Sequence, residues 1–453
     1  MGDARTTVGT GAVLVLAACL GALSAPAVRA ELEVGVAKAD ITPPVGGAMY
    51  GYGARGDNVA TGVHDRLWAK ALVARAGGTS VAFVTLDLGA FEKDRTQRVK
   101  DAVRRETGIE NLVLVASHTH SAPTYQPDFP DAERPYAAAA EAAIAGAVAE
   151  AAAGLRPARF AVGWGRVEEG HNRRLRLPDG SIEMLWGNRE RRPTSPVDYA
   201  LGVVAFRTLA GEPLATWIGF QCHPVVLGPE NLEISADYPG VMTARVDAEI
   251  GGVAMFLQGA AGDINPFWDK TPPAEGGFEQ VAAMGEKLAD EVVRVVRRMP
   301  PAGDVASISF RSREVPLAPR WDLDDPAVEA AFRANEFGWI FDRYRARFAR
   351  ESRAEVTTTL FGDRLALASF PGEFFVEHGL RLRQQSLVPD TLFVGYANGA
   401  LAYFPTLRAA AEGAYGGKEA TLVEVGAGEK LVSLALEALH RQLGKLSDVP
   451  TFD

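Results

Sequence analysis

The sequence predicts an α/β fold: a single large layered domain with mixed β-sheets flanked by helices. Three observations carry that expectation. Short apolar runs of strand length alternate with segments of helical period, yet no regular βα repeat of about 30 residues emerges, so a purely doubly wound or barrel topology is not indicated. No internal repeat or low-complexity linker divides the chain. And 453 residues at 47% hydrophobic and 23% charged make an ordinary globular composition, able to bury a sizeable core. Residues 31–446 are assigned to this domain, 1–30 to a leader and 447–453 to a C-terminal tail. A chain of two lobes dividing near Pro300-Pro301-Ala302-Gly303 is the alternative.

Taken in order, Val34 to Pro44 reads as an opening strand and turn. Gly46 to Gly56 holds five glycines and two tyrosines, a loop passing close to something. Leu67–Ala74 and Ser80–Leu88 pair as a hairpin, and Asp94–Thr107 has helical spacing. Asn111–Ala116 is a buried strand, and the alanine-rich Ala137–Leu155 is a helix. Strands follow at Arg159–Val167, Gly202–Arg207 and Leu214–Gln221, then a helix at Asp237–Ile250 and a buried strand at Val253–Gln258. Gln280–Arg298 is a long amphipathic helix and Ala306–Val315 a strand. Pro326–Arg353 reads as helical with a break near Gly338, its Arg343, Arg347 and Arg350 forming a solvated face. Thr357–Phe370 is a hairpin turning at Gly362-Asp363. Phe374–Gln385, Thr391–Ala397 and Ala420–Leu443 close the chain as helix, strand and helix, with Pro371 placing Glu373 in the first helical turn.

The N-terminus reads as a targeting segment. Arg5 precedes an apolar stretch, Val8 to Leu23, and Val28-Arg29-Ala30 offers a small-x-small cleavage site, the pattern of a secretory signal. Leu16-Ala17-Ala18-Cys19 also resembles a lipobox, which would make Cys19 a lipid anchor. Either way the chain is expected outside the cytoplasm, periplasmic or secreted. No later run approaches 18 apolar residues, so no transmembrane helix is expected. A net charge of -10 argues against nucleic acid as a partner. With Cys19 and Cys222 the only cysteines, the folded part has no internal disulfide.

Chemistry concentrates where apolar strands end. Leu114-Val115-Ala116-Ser117-His118-Thr119-His120-Ser121 empties a strand into two of the chain's seven histidines, a metal-site candidate or simply a polar strand end. Four other segments repeat the pattern: Gln221-Cys222-His223-Pro224, Gly262-Asp263-Ile264-Asn265-Pro266, Pro371-Gly372-Glu373-Phe374, and Gly395 through Tyr403. Each leaves a ligand-type or acidic residue at a strand exit, and exits far apart in sequence can converge at one sheet edge. Cys222 reads as a small buried residue, or as a thiol ligand or nucleophile. Asp237 reads as a helix cap or an acid.

These segments, in this order, resemble the neutral/alkaline non-lysosomal ceramidase family, specifically its catalytic N-terminal domain. Ala39-Asp40-Ile41-Thr42, Gly62-Val63-His64-Asp65-Arg66, Ser117-His118-Thr119-His120-Ser121 (Ser117 where the family has Thr), His223-Pro224, Gly262-Asp263 with Pro266, Pro371-Gly372-Glu373-Phe374 and Gly395 to Tyr403 all match its motifs. The resemblance covers essentially residues 34–443, and the family's trailing immunoglobulin-like domain is expected to be missing. It implies one zinc ion per chain, with His118, His223, Glu373 and Tyr403 as ligands. It also implies catalytic roles for His120 as proton handler and for Arg173 and Tyr415 as oxyanion partners, on a lipid-like N-acyl substrate of sphingolipid type.

One departure stands out. The serine to which the family's catalytic role is given is Asn265 here, and an amide cannot serve as that nucleophile. Water activated by the metal becomes the better nucleophile, with Asn265 as a further oxyanion donor. The expected activity is hydrolysis of a C–N amide bond by an exported zinc enzyme. The alternatives are a hydrolase of a different acylated or envelope-derived substrate, and a non-catalytic metal-containing binding protein. His64 reads as a ligand or as a supporting or structural residue near the site, and His171, His378 and His440 are expected at the surface or in support of the site. Glu377 shares a helix face with Glu373 but is not a ligand, and Tyr396 competes with Tyr403 for the ligand role. Oligomeric state is not set by the sequence.

Overall fold

Two sheets share one interior. The computed structural model describes residues 32–124, 135–334 and 352–449, with a few further positions near the N-terminus and between 338 and 345. The expected leader, Cys19, and the Arg343, Arg347 and Arg350 face lie outside the described residues. The strands of the larger sheet are β1 (Glu33–Asp40), β2 (Trp68–Ala76), β3 (Thr79–Leu86), β4 (Asn111–Ala116), β5 (Arg156–Arg166), β6 (Ala200–Thr208), β7 (Pro213–Phe220) and β8 (Val253–Gln258). They lie in the order β8-β7-β6-β5-β1-β2-β3-β4. Pairing is antiparallel except at the two edges, where β7–β8 and β3–β4 are parallel. The smaller sheet holds β9 (Ile308–Pro316), β10 (Arg353–Phe361), β11 (Leu365–Ser369) and β12 (Asp390–Val394) in sequence order, with β11 and β12 parallel.

Alternation along each strand builds the layers. Leu72, Phe83, Val113, Phe206, Trp217 and Leu257 point into a common core, and Phe361, Leu367 and Val394 of the smaller sheet enter the same core. The intervening residues face helices. Ala71, Val84 and Leu114 pack under α1 (Lys93–Thr107) and α2 (Pro135–Ala153). Val203, Ile218 and Phe256 pack under α3 (Asp237–Ile250) and α4 (Gly277–Arg298). The outer face of β10 and β11 carries α6 (Val376–Gln385) and α8 (Ala427–Gln442); α5 (Pro326–Arg333) and α7 (Leu407–Glu412) are shorter. The shared core excludes the two-lobed reading: the chain beyond Pro300 supplies one wall of it.

Some elements differ from expectation. The window Tyr136–Ala153 in α2 is long and apolar enough by composition to cross a membrane, because alanine raises mean hydropathy without large side chains. Its Ile144, Val148 and Ala151 cover β1 and β2, and Gly35 lets it come that close: a Cβ there would lie 1.9 Å from the Ala151 carbonyl oxygen. The segment expected to be helical from Pro326 with a break near Gly338 forms α5 to Arg333 and is helical again at Phe341, Asp342 and Arg345, but Arg353 already begins β10. The last helix starts at Ala427 rather than Ala420, after α7 and an irregular turn. Glu373 is not in a helix. Glu373-Phe374 pairs in parallel with Tyr403-Phe404, and the Glu373 amide donates to the Ala402 carbonyl at 2.8 Å. Non-local pairing overrode the local helix signal of Pro371, so α6 begins at Val376 and Glu377 does not share a face with Glu373.

Strand ends from both sheets converge at one end. The Ser117 amide donates to Leu86, Ala116 to Tyr396, Gly395 to Gln258 and Gly259 to Phe220, at 2.8–3.1 Å. The ends of β3, β4, β7, β8 and β12 are thereby stitched together.

Candidate metal centre and active site

His118 follows β4 by two residues, with φ at +71° and its amide donating to the Leu88 carbonyl at 2.9 Å. His223 follows β7 and Glu373 follows β11. All three are buried, at 2%, 1% and 8% exposure. Glu373 Oε2 lies 3.3 Å from His118 Nε2 and 3.1 Å from His223 Nε2. Each histidine uses its other nitrogen on a carbonyl: His118 Nδ1 faces Gly89 O at 2.6 Å and His223 Nδ1 faces Ile264 O at 3.1 Å. A carbonyl only accepts, so both Nδ1 atoms carry the proton and both Nε2 atoms present lone pairs.

Among the described residues this is the group of His, Cys, Asp and Glu donors that could hold a metal ion, its ligand atoms all within 4.8 Å of one another. The fit to zinc is good. Ligands about 2.0–2.1 Å from a tetrahedral ion stand about 3.3 Å apart, close to the separations found. Charge agrees with geometry. Burial alone would raise the Glu373 carboxyl, but hydrogen bonding and charge from His118 and His223, with a proton shared between Nε2 and the carboxylate, outweigh it and hold it well below the usual carboxylate range; a bound cation would take that proton's place. Burial brings His223 down to about 4, helped by Arg173 and His118 against the opposing Glu373 hydrogen bond. A carboxylate beside a neutral imidazole is the protonation state that ligation needs.

Around this centre the remaining expected residues gather. His120 Nε2 lies 3.2 Å from His118 Nε2, and burial, with His118 and His223, keeps its imidazole well below its usual range. Tyr403 stands directly across from Glu373 in the two-residue ladder. Burial and the nearby Glu373 push its phenol well above its usual range, so only a cation would make it a phenolate. The Arg173 guanidinium donates to Gly262 O at 2.7 Å and Asn265 Oδ1 at 3.2 Å. Its centre stands 5.2–5.4 Å from the rings of Trp186, Tyr403 and Tyr415. Asn265 also donates to Asp269 Oδ2 at 3.0 Å, so its amide bridges Arg173 to a buried carboxylate. Asp263 ties the turn: its carboxylate accepts from the Val376 amide and Asn172 Nδ2, and its carbonyl from the Arg173 amide, at 2.7–2.9 Å. Burial pushes this carboxyl up to about 6.

The loop Gly46–Gly56 is what the tyrosine- and glycine-rich composition hinted at. Tyr50 and Tyr52 set ring edges against His120, at 5.5 and 4.7 Å between centroids. A Cβ on Gly51, at φ +104°, would strike His120 Nδ1. Buried Arg55 pins the loop by donating to the Tyr50 and His120 carbonyls at 2.7 and 2.8 Å. No motif named these residues; the glycine and tyrosine density was the one signal. A narrow cleft lined by Tyr50, Ala90, Tyr396, Gly399, Ala400 and Ala402 opens onto His118 and Glu373.

Other candidates fall away from the centre. His64 stacks on Phe278 with centroids 3.9 Å apart. Cys222 is fully buried in an apolar cluster, its thiol pushed well above its usual range by burial. Asp237 begins α3 but accepts from the Leu227 and Tyr238 amides, tying the helix to the loop after His223. Glu377 is exposed, within hydrogen-bonding reach of Thr406.

Fold and site together define a layered α/β protein with a buried two-histidine, one-carboxylate centre where the strand ends meet. A family described as "Neutral/alkaline non-lysosomal ceramidase, N-terminal" matches residues 32–276, and the chain belongs to that family. A neutral ceramidase of Pseudomonas aeruginosa is 27% identical over 295 residues, 60% of this chain and 43% of that protein. One of Drosophila melanogaster is 36% identical over 102 residues, 21% of this chain and 14% of that protein. The chain therefore matches less than half the length of these curated relatives. A solved structure described as a ceramidase complexed with C2 superposes with a TM-score of 0.74 at 20% identity, covering 94% of this chain and 77% of that one. The crystal structure of neutral ceramidase from Pseudomonas aeruginosa gives 0.74 at 20% identity, over 93% and 76%. The fold is shared with both.

Proposed function

We propose that this chain is an exported, zinc-dependent hydrolase of a C–N amide bond in a ceramide-like N-acyl substrate. The observation that carries the reading is the convergence of His118 Nε2, His223 Nε2 and Glu373 Oε2, with both imidazoles locked in the ligating tautomer. Zinc held by these residues and the Tyr403 phenol would polarise a carbonyl oxygen and lower the pKa of water at neutral pH.

The protein's own groups do the rest. His120, neutral and facing His118, takes a proton at Nε2 and returns it to the leaving nitrogen. Arg173 keeps a fixed positive charge beside the developing oxyanion, held by Asn265 and Gly262 and walled by Trp186 and Tyr415. Tyr415 and the second Asn265 amide hydrogen are further donors. Asn265 cannot attack the substrate; its oxygen orients Arg173 instead. The leader-like N-terminus supports a periplasmic or secreted location, with a lipid anchor at Cys19 as the variant form.

The test is a panel of N-acyl sphingosines beside small N-acyl and O-acyl compounds, assayed with chelator and after zinc is restored. N-acyl turnover lost to chelator and recovered with zinc is expected. Turnover that ignores chelator overturns the zinc reading. Hydrolysis confined to other acyl compounds favours the second reading, a hydrolase of a different acylated substrate, which the replacement of serine by Asn265 supports.

A further inference from the structure

Tyr396 follows β12 and Gly395, with φ at +53°. A bulky side chain in the left-handed region is an outlier that persists only where its surroundings hold it. Here they do. The Tyr396 amide donates to Gly372 O at 3.2 Å, and its carbonyl accepts from the Ala116 amide at 3.1 Å. The next residue, Ala397, bridges Val115 and donates to Phe370 O at 2.9 Å. Backbone from both sheets thus clamps one residue in an unfavourable conformation.

The conformation aims a phenol. The ring packs against Ala116 and Ala261 and stands 4.4 Å from the His118 imidazole, centroid to centroid. It lines the cleft shared by His118 and Glu373. Tyr396 is 4% exposed, and its Oη is buried without a hydrogen-bond partner. A buried phenol ordinarily finds one. Tyr403, by contrast, carries the Arg173 guanidinium over its ring, 5.4 Å from the centroid. One tyrosine at the centre is therefore engaged by the protein, and the other is held in a strained pose with its hydroxyl vacant.

We propose that Tyr396 is a further catalytic residue, whose hydroxyl donates a hydrogen bond to the substrate's carbonyl oxygen in the cleft beside His118 and Glu373. This rests on the amide-hydrolase reading of the site. No covalent step is required of it: the O–H bond stays intact while the carbonyl oxygen gains charge, and the donor is in place beforehand.

Tyr396→Phe keeps the ring and removes the hydroxyl. Three measurements are made on it and on the unaltered chain. Zinc affinity, by chelator competition, is expected to stay within about twofold. Acetohydroxamate, a small amide-like probe, is expected to bind the zinc-loaded variant about tenfold more weakly by calorimetry. Turnover of N-acyl sphingosine is expected to fall about a hundredfold in kcat with little change in KM. A tenfold loss of zinc affinity overturns the proposal and makes Tyr396 a metal ligand. Unchanged acetohydroxamate binding and turnover overturn it in favour of packing alone. If the unaltered chain cleaves no N-acyl compound, the amide-hydrolase reading fails separately, and the acetohydroxamate arm still decides whether the hydroxyl reaches a bound oxygen. Should the variant fold poorly, the acetohydroxamate complex of the unaltered chain decides: a Tyr396 Oη within about 3.2 Å of a probe oxygen supports the assignment, and one farther away refutes it.

Discussion

Replacing Glu373 by Gln tests the metal centre without changing its shape. Glu373 Oε2 stands 3.1 and 3.3 Å from two Nε2 atoms whose protons reside on the opposite nitrogens. Without a cation the three lone-pair donors face one another and need a proton to share. A Gln amide would donate hydrogen to both imidazoles, so metal-free Glu373→Gln should be as stable as the parent or about 1 kcal/mol more so. Zinc should reverse that order. At a free zinc level 100 times its dissociation constant, the parent gains about 2.7 kcal/mol, which for a domain this large is about 3 °C in Tm. Removing even an outer contact of a metal ligand costs 10- to 100-fold in affinity. Losing the carboxylate charge itself should cost at least about 100-fold, leaving about 0.4 kcal/mol, under 1 °C, at the same zinc level. The assay is thermal unfolding of chelator-stripped protein across a buffered zinc series. An equal zinc-dependent rise in Tm in parent and variant would refute the assignment of Glu373 to the centre.

Further outcomes follow from other contacts. Arg173→Lys cannot donate to both Gly262 and Asn265 while packing among three aromatic rings, so kcat should fall about a hundredfold with folding intact; a loss under threefold in steady-state assays would remove Arg173 from the chemistry. Gly35→Ala drives a methyl group into the Ala151 carbonyl and should destabilise the fold by about 3 kcal/mol in urea titration, whereas a change below about 0.5 kcal/mol would contradict the close approach of α2. Burial pushes the Asp237 carboxyl up to about 7, so the fold favours its protonated form. That contribution is full below the unfolded-state pKa near 4 and is lost as pH rises towards 7. Between pH 5 and pH 8 it amounts to about 3 kcal/mol. Urea titrations at both pH values should show the parent losing that much more stability than Asp237→Asn, and equal slopes would remove Asp237 as the source.

Much of the fold was legible because it is local. The alternation in β2, β3, β4 and β7 is written in their own residues, and so are the helical periods of α1, α3 and α4. The ligand-type residues were legible as well, since His118, His223 and Glu373 each end an apolar run. The misreadings came where distant backbone competes with local preference. Pro371 is a helix-start signal, yet Phe374 and Glu373 gain more by pairing with Phe404 and Tyr403. The segment 413–426 carries helix-compatible alanines, but its backbone follows non-local contacts rather than a helix: the Ala402–Thr421 bridge and the Tyr403 amide's bond to the Ala420 carbonyl hold it irregular.

By itself the sequence determined the layered α/β class, the order of the strand-exit motifs and the presence at 265 of an asparagine, which offers no nucleophile. Those features depend on residue type and short-range period. Only the tertiary structure decided which atoms meet. His223 and Glu373 are 150 residues apart, and their contact depends on the mutual seating of two sheets. The Nδ1 protons of His118 and His223 are placed by the carbonyls of Gly89 and Ile264, which no side-chain pattern encodes. The division between Tyr403, packed against the Arg173 guanidinium, and Tyr396, strained and with its hydroxyl unpartnered, likewise arises from backbone hydrogen bonds between segments that share no local sequence signal.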